Sequence, residues 1–132
     1  MASKFFHVQH EFRSGKSQEW WNAVQAKMAP GGDWDEAIAK NLEAGFYANA
    51  FCPIALEGPV FCIWEVREGI TADQFQEFID GQTGVMYGTD AVMNICKEIK
   101  VELAGKYQLQ GSSKTIDLRL LIRLAAASKS SS

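Results

Sequence analysis

The chain has 132 residues, 47% of them hydrophobic and 22% charged, with a net charge of −3 and a pI of about 5.4. That length predicts one domain with a real core, and the acidic balance argues against nucleic acid or an anionic membrane, both of which reward a basic face. No apolar run approaches the roughly 20 residues that a membrane-spanning helix requires, so a cytoplasmic protein is expected.

FFHVQHEF (5–12) alternates, with Phe6, Val8, His10 and Phe12 on one face and Phe5, His7, Gln9 and Glu11 on the other, which predicts a strand. Ser17 is a candidate N-cap for a helix whose stripe is Trp20, Val24 and Met28, with Trp21 beside it; Pro30-Gly31-Gly32 stops it. Asp33 and Glu36 have capping-box spacing at the start of a second short helix. Its stripe is Trp34, Ile38 and Leu42, and Gly45 suits its left-handed end.

FYANAFCPIAL (46–56) and PVFCIWEVR (59–67) read as a strand hairpin joined at Glu57-Gly58. A two-residue loop there sets Cys52 against Ile63 and leaves the thiols of Cys52 and Cys62 on opposite faces. A three-residue loop sets Cys52 directly against Cys62. Thr71 and Gln74 form a capping box for a helix with Ala72, Phe75, Phe78 and Ile79 as its stripe, ending at Gly81. The glycine-rich segment 81–90 reads as a long connection, and 91–103 returns to strand alternation. Within TIDLRLLIRL (115–124), Ile116, Leu118, Leu120, Ile122 and Leu124 share one parity, which favours an added edge strand or a docking arm before a frayed tail. The expected division is a domain over 1–104 and a C-terminal extension over 105–132.

A β-α-β-β-α-β order folds most readily as an α+β, ferredoxin-like antiparallel sheet with its two main helices on one face. The second and third strands are apolar on both parities: Val60, Cys62, Trp64 and Val66 alternate with Phe61 and Ile63. A half-exposed sheet shows cleaner alternation than this. The uncovered face therefore calls for a partner, and two sheets packed across a two-fold axis satisfy it, so a homodimer is expected.

In order, length and two-sided sheets the chain resembles the dimeric α/β-barrel superfamily, which includes antibiotic-biosynthesis-type monooxygenases and muconolactone-isomerase-like enzymes. KFFHVQH (4–10) and VFCIWE (60–65) also resemble small members of that superfamily in which nickel binding is described. Those have paired histidines ending the first strand and an apolar–aromatic–Cys run leading to Glu in the third. Gln9 stands where one paired histidine is found, and TADQFQEFIDGQ carries no histidine. The resemblance implies a ferredoxin-like dimer; metal binding at the dimer interface through His7 or His10 with Glu11 or Glu65 is a separate reading.

His7 and His10 are three apart, so on a regular strand they point to opposite faces, and an intrachain metal pair needs a bulge between them. His10 shares its face with Phe6, Val8 and Phe12. It reads either as a core-edge imidazole with one hydrogen bond or as a polar group in an apolar pocket. Trp64, Asn94 and Tyr47 are the other candidate ligand contacts: an indole, an amide interrupting an apolar strand, and a phenol. Glu65 and Arg67, on one parity, read as a surface pair. Cys52, Cys62 and Cys96 are odd in number, never spaced CxxC, and set in apolar strands, where a thiolate is disfavoured. There is no GxSxG, Walker loop or HExxH. The RNA-recognition motif shares the element order, but PVFCIWEVR lacks its basic-Gly-aromatic opening. The leading expectation is a homodimer binding a small, largely apolar ligand. The alternatives are a cofactor-independent oxygenase or isomerase, metal binding at the dimer interface, and an assembly role.

Overall fold

A computed structural model describes residues 3–83, 90–107 and 109. Four strands, β1 (Lys4–Phe12), β2 (Phe46–Pro53), β3 (Val60–Val66) and β4 (Val92–Glu98), form one antiparallel sheet in the order β2-β3-β1-β4. Among the described residues three α-helices accompany them: α1 (Ser17–Met28), α2 (Trp34–Ala44) and α3 (Ala72–Thr83). The fold is therefore α+β.

The alternation in β1 decides which side of the sheet the helices cover. Phe6 and Val8 pack with Phe75 and Ile79 of α3, while Phe12, on the same parity, packs with Trp20 and Val24 of α1. Both helices thus lie over one face. Phe6 stacks on Phe75 with ring centroids 4.4 Å apart, and Phe46 stacks on Phe78 at 3.8 Å, so the α3 side of the core is largely aromatic. The core is divided: one cluster joins β1, β2, β3 and α3, and a smaller one joins α1 to Ala91, with Phe12 and Val92 against it.

Local signals are partly realised. Thr71 and Gln74 form the reciprocal capping box, Thr71 N–H donating to Gln74 Oε1 at 2.8 Å and Gln74 N–H to Thr71 Oγ1 at 3.1 Å. Gly45 ends α2 with φ 101°, and a Cβ there would sit 2.9 Å from the Arg67 Cβ, so both conformation and space require glycine. The Asp33 cap does not form. Its carboxylate is taken by the Lys27 ammonium at 2.9 and 3.1 Å, which ties the end of α1 to the start of α2. Ser17 is the first helical residue rather than the cap; Lys16 holds that position, with no side-chain cap. The third helix continues past Gly81 to Thr83, since one interior glycine costs only about 1 kcal/mol.

Neither expected hairpin register occurs. Cys52 pairs with Phe61 and Phe51 with Cys62, because four residues, 55–58, make the turn, with Gly58 N–H donating to the Ala55 carbonyl at 3.0 Å. A four-residue turn preserves the parity of a two-residue one, so Cys52 and Cys62 still lie on opposite faces. A bulge between Ala48 and Ala50 shifts the register further along β2. The fourth strand is shorter than the predicted 91–103. Ile99 N–H reaches the Phe5 carbonyl at 2.8 Å, and β1 begins at Lys4, so beyond this point β1 offers no further ladder positions. It winds instead into 3₁₀ turns over Val101–Tyr107, leaving Leu103 exposed. Glu65, expected at the surface with Arg67, is fully buried, whereas the Arg67 guanidinium donates to the Leu42 and Glu43 carbonyls at the end of α2. The 115–124 segment and most of 105–132 lie outside the described residues.

Phe75 is fully buried and contacts both stacked pairs of the aromatic core. Phe75→Ala is expected to cost about 3–5 kcal/mol, against about 1 kcal/mol for Thr71→Ala at the cap. Urea denaturation of both variants checks the ratio.

Candidate functional site

β1 is bonded on both sides, to β3 and to β4, and His10 sits where its two ladders meet a change in chemistry. In one register His10 pairs with Val60; in the other it pairs directly with Asn94. Cys62 shares the Val60 parity and stands diagonally across from His10, within side-chain reach. The result is a continuous polar chain through an apolar layer. The Asn94 amide donates from Nδ2 to Asp80 Oδ1 at 3.1 Å, and Gln76 donates from Nε2 to the same carboxylate oxygen at 3.1 Å. Asn94 Oδ1 lies 2.5 Å from His10 Nδ1, and His10 Nε2 lies 3.2 Å from Cys62 Sγ.

The directions of these bonds follow from the end of the chain. A carboxylate only accepts, so Asp80 requires the NH₂ group of Asn94 to face it, leaving Oδ1 for His10. Nδ1 of His10 must then carry the proton. In a neutral ring, Nε2 is left with a lone pair, and it accepts from the Cys62 thiol. Burial keeps the ring neutral: His10 is 3% exposed, and desolvation lowers its pKa below 6.5, opposed in part by the Asn94 hydrogen bond. Burial also pushes the Cys62 thiol up to about 12, with Cys52 adding to the rise and the Trp64 indole opposing it. The resting pair is thus a neutral thiol and a neutral imidazole.

His10 and Cys62 line a cavity of about 280 Å³. It lies at the seam between the two core clusters, reaching Trp20 and Val24 of one and Phe46, Trp64 and Ile79 of the other. Helix α2 contributes Trp34, Ala37, Ile38 and Asn41, and Phe51 closes the β2 side. The walls are therefore mostly aromatic and aliphatic, with Lys27, Asn41 and Tyr47 as polar members. Nε1 of Trp64 is buried, and its N–H is the donor that opposes the rise in the Cys62 pKa.

The family model described as a domain of unknown function (DUF8652) matches residues 5–111, most of the chain. The chain belongs to that family. No curated protein and no solved structure matches it. The DUF8652 span contains every residue of the cavity and of the polar chain.

Of the residues singled out in the sequence, His10, Trp64 and Tyr47 line the cavity, and Asn94 stands behind His10 as its hydrogen-bond partner. His7 does not join them. It lies on the opposite face of β1, with its ring 5.3 Å from that of Phe61. Among the described residues, no three His, Cys, Asp or Glu side chains are grouped as a metal site. Cys62, Asp80 and Gln76 went unrecognised in the sequence. The parity placing Cys62 on the His10 face was visible there, but the β1–β3 register that makes the two diagonal neighbours was not.

The native state excludes a proton that the unfolded chain binds near pH 6.5, because His10 has its folded pKa depressed. The stability this contributes is present above pH 6.5 and is lost as pH falls through the native pKa. Thermal unfolding of the wild type is expected to shift down as pH drops from 7 toward 5, and His10→Gln to flatten that slope.

Proposed function

We propose that the chain binds a small, flat, largely apolar molecule of about one to two rings in the cavity between the sheet, α1 and α2, with His10 orienting it. The observation that carries this is α2. Its inward residues Trp34, Ala37, Ile38 and Asn41 line the cavity, yet no residue of α2 is fully buried, and Ile38 remains 37% exposed. An amphipathic helix normally completes its burial against the core; here an occupant of the cavity supplies the missing contact. The aromatic walls suit a planar ligand, and the buried Trp64 N–H on the cavity wall is a donor for a ligand oxygen.

A second reading, a cofactor-independent acid–base enzyme, is favoured by the fixed tautomer of His10. An unprotonated Nε2 at a cavity wall, oriented from behind by Asn94 and Asp80, has the makings of a general base. Free thiols at Cys52, Cys62 and Cys96 support a reducing, cytoplasmic setting. The strand order with α1 and α3 over one face supports the ferredoxin-like arrangement. Met93 and Ile95, on the far face of β4 and 42% and 43% exposed, support a homodimer closed sheet against sheet.

Titration with 4-phenylbutan-2-one and with planar phenols, read by fluorescence of the cavity tryptophans, is expected to saturate. Ala37→Trp, which fills the cavity from α2, is expected to weaken binding at least about tenfold while the fold persists. No saturable binding of any such compound would overturn the reading. Separately, native mass spectrometry is expected to show a dimer that Ile95→Glu converts to monomer; a monomeric wild type removes the dimer.

A further inference from the structure

Cys62 and His10 meet inside the cavity, and nothing in ligand binding alone requires a thiol hydrogen-bonded to an oriented imidazole. We propose that Cys62 is a nucleophile toward apolar carbon electrophiles of the α,β-unsaturated ketone class, with His10 as its general base and Asn94 and Asp80 as positioning residues. The inference rests on the ligand-binding reading of the same cavity.

Three observations carry it. Sγ and Nε2 are 3.2 Å apart, with the lone pair on Nε2 fixed by the chain that runs from Asp80 through Asn94 to Nδ1. Both reacting side chains line the cavity, so an occupant reaches them without rearrangement of the sheet. Trp64 lines the same cavity and brings a buried N–H beside the Cys62 thiol, a donor suited to oxygen that gains negative charge next to Sγ. A soft, apolar electrophile is the chemistry that fits. The walls are mostly aromatic and aliphatic, and a polarisable sulfur adds to an electron-poor alkene more readily than a hydroxyl does.

The step balances within the site. The thiol proton passes to His10 Nε2 as Sγ bonds the β-carbon. The alkene π pair shifts to give an enolate, whose oxygen accepts from Trp64 Nε1. His10 then returns the proton to the α-carbon. The product is the saturated thioether, with no oxidant, reductant or second substrate consumed. Burial that holds the thiol near 12 prevents indiscriminate thiolate chemistry and makes the imidazole necessary.

The test uses the full chain carrying Cys52→Ser, which removes the exposed thiol, and the aryl enone 4-phenylbut-3-en-2-one. Intact mass and peptide mapping follow the adduct, and its saturated analogue 4-phenylbutan-2-one reports binding alone. The expected result is one adduct, on Cys62, forming at a rate nearly flat between about pH 7 and 9 as a relayed proton transfer requires. His10→Gln should slow it roughly a hundredfold. Asp80→Ala, at an exposed position that leaves the core intact, should lower the maximal rate by about tenfold without changing the enone concentration that half-saturates it. An adduct rate that climbs tenfold per pH unit and ignores Asp80→Ala would be ordinary thiolate attack and would overturn the proposal. Binding of the saturated ketone with no adduct overturns it while leaving the ligand reading standing; failure of both compounds to bind overturns the two together.

Discussion

The site depends on one constraint, the double pairing of β1. That strand is hydrogen-bonded along both edges, to β3 through seven residue pairs from Lys4 to His10 and to β4 through seven from Phe6 to Phe12. A slip of one residue in either ladder would turn Asn94 or Cys62 away from the helix-covered face. In β3 the hydrophobic pattern resists such a slip, because it would also turn Val60 and Val66, both 0% accessible, out of the core. The same burial that stabilises the sheet therefore sets the geometry of the polar chain, and no separate scaffold is needed to hold it.

The parts of this arrangement readable from sequence were those encoded locally. Period-two alternation located the strands, the Thr71/Gln74 spacing marked the start of α3, and Gly45 marked the end of α2. Placing His10 on the face of Phe6 and Val8 followed from parity alone. What failed depended on partners distant in sequence. Asp33 has the right spacing for a cap, but Lys27 competes for its carboxylate, and the competitor becomes visible only when α1 and α2 are folded together. Ile99 to Leu103 alternates well enough for a strand, yet a strand exists only where another offers its edge. Glu65 is charged and would be assigned to the surface by residue type, while the folded chain buries it opposite Phe5.

The site divides along the same line. His10 and Asn94 stood out because each is a polar residue interrupting an apolar run, a signal that needs no register. Cys62 gave no such signal, since a free cysteine among Val60, Trp64 and Val66 is an ordinary small hydrophobe. Its significance arises from contact with Nε2, a relation across 52 residues of chain. Asp80 was unremarkable as an exposed carboxylate on a helix, and only its bond to Asn94 lets it dictate the tautomer of a ring it does not touch.

Two features that cost stability coincide here. A buried polar chain pays desolvation that an apolar trio of similar volume would not, and it is tolerated only when each member finds a partner. Void space under α2 forfeits packing that larger side chains at Ala37 or Ala48 would recover. Either feature alone has a structural explanation. A satisfied polar network can specify a register, and a small void can be an accident of packing. Register in β3 is already set by Val60, Val66 and the aromatic core, so the network adds little to specificity of folding there. The void, for its part, opens against the one histidine–thiol contact on the helix-covered face of the sheet, among the described residues, rather than elsewhere in the core. Their coincidence is explained most simply by an occupant that meets both.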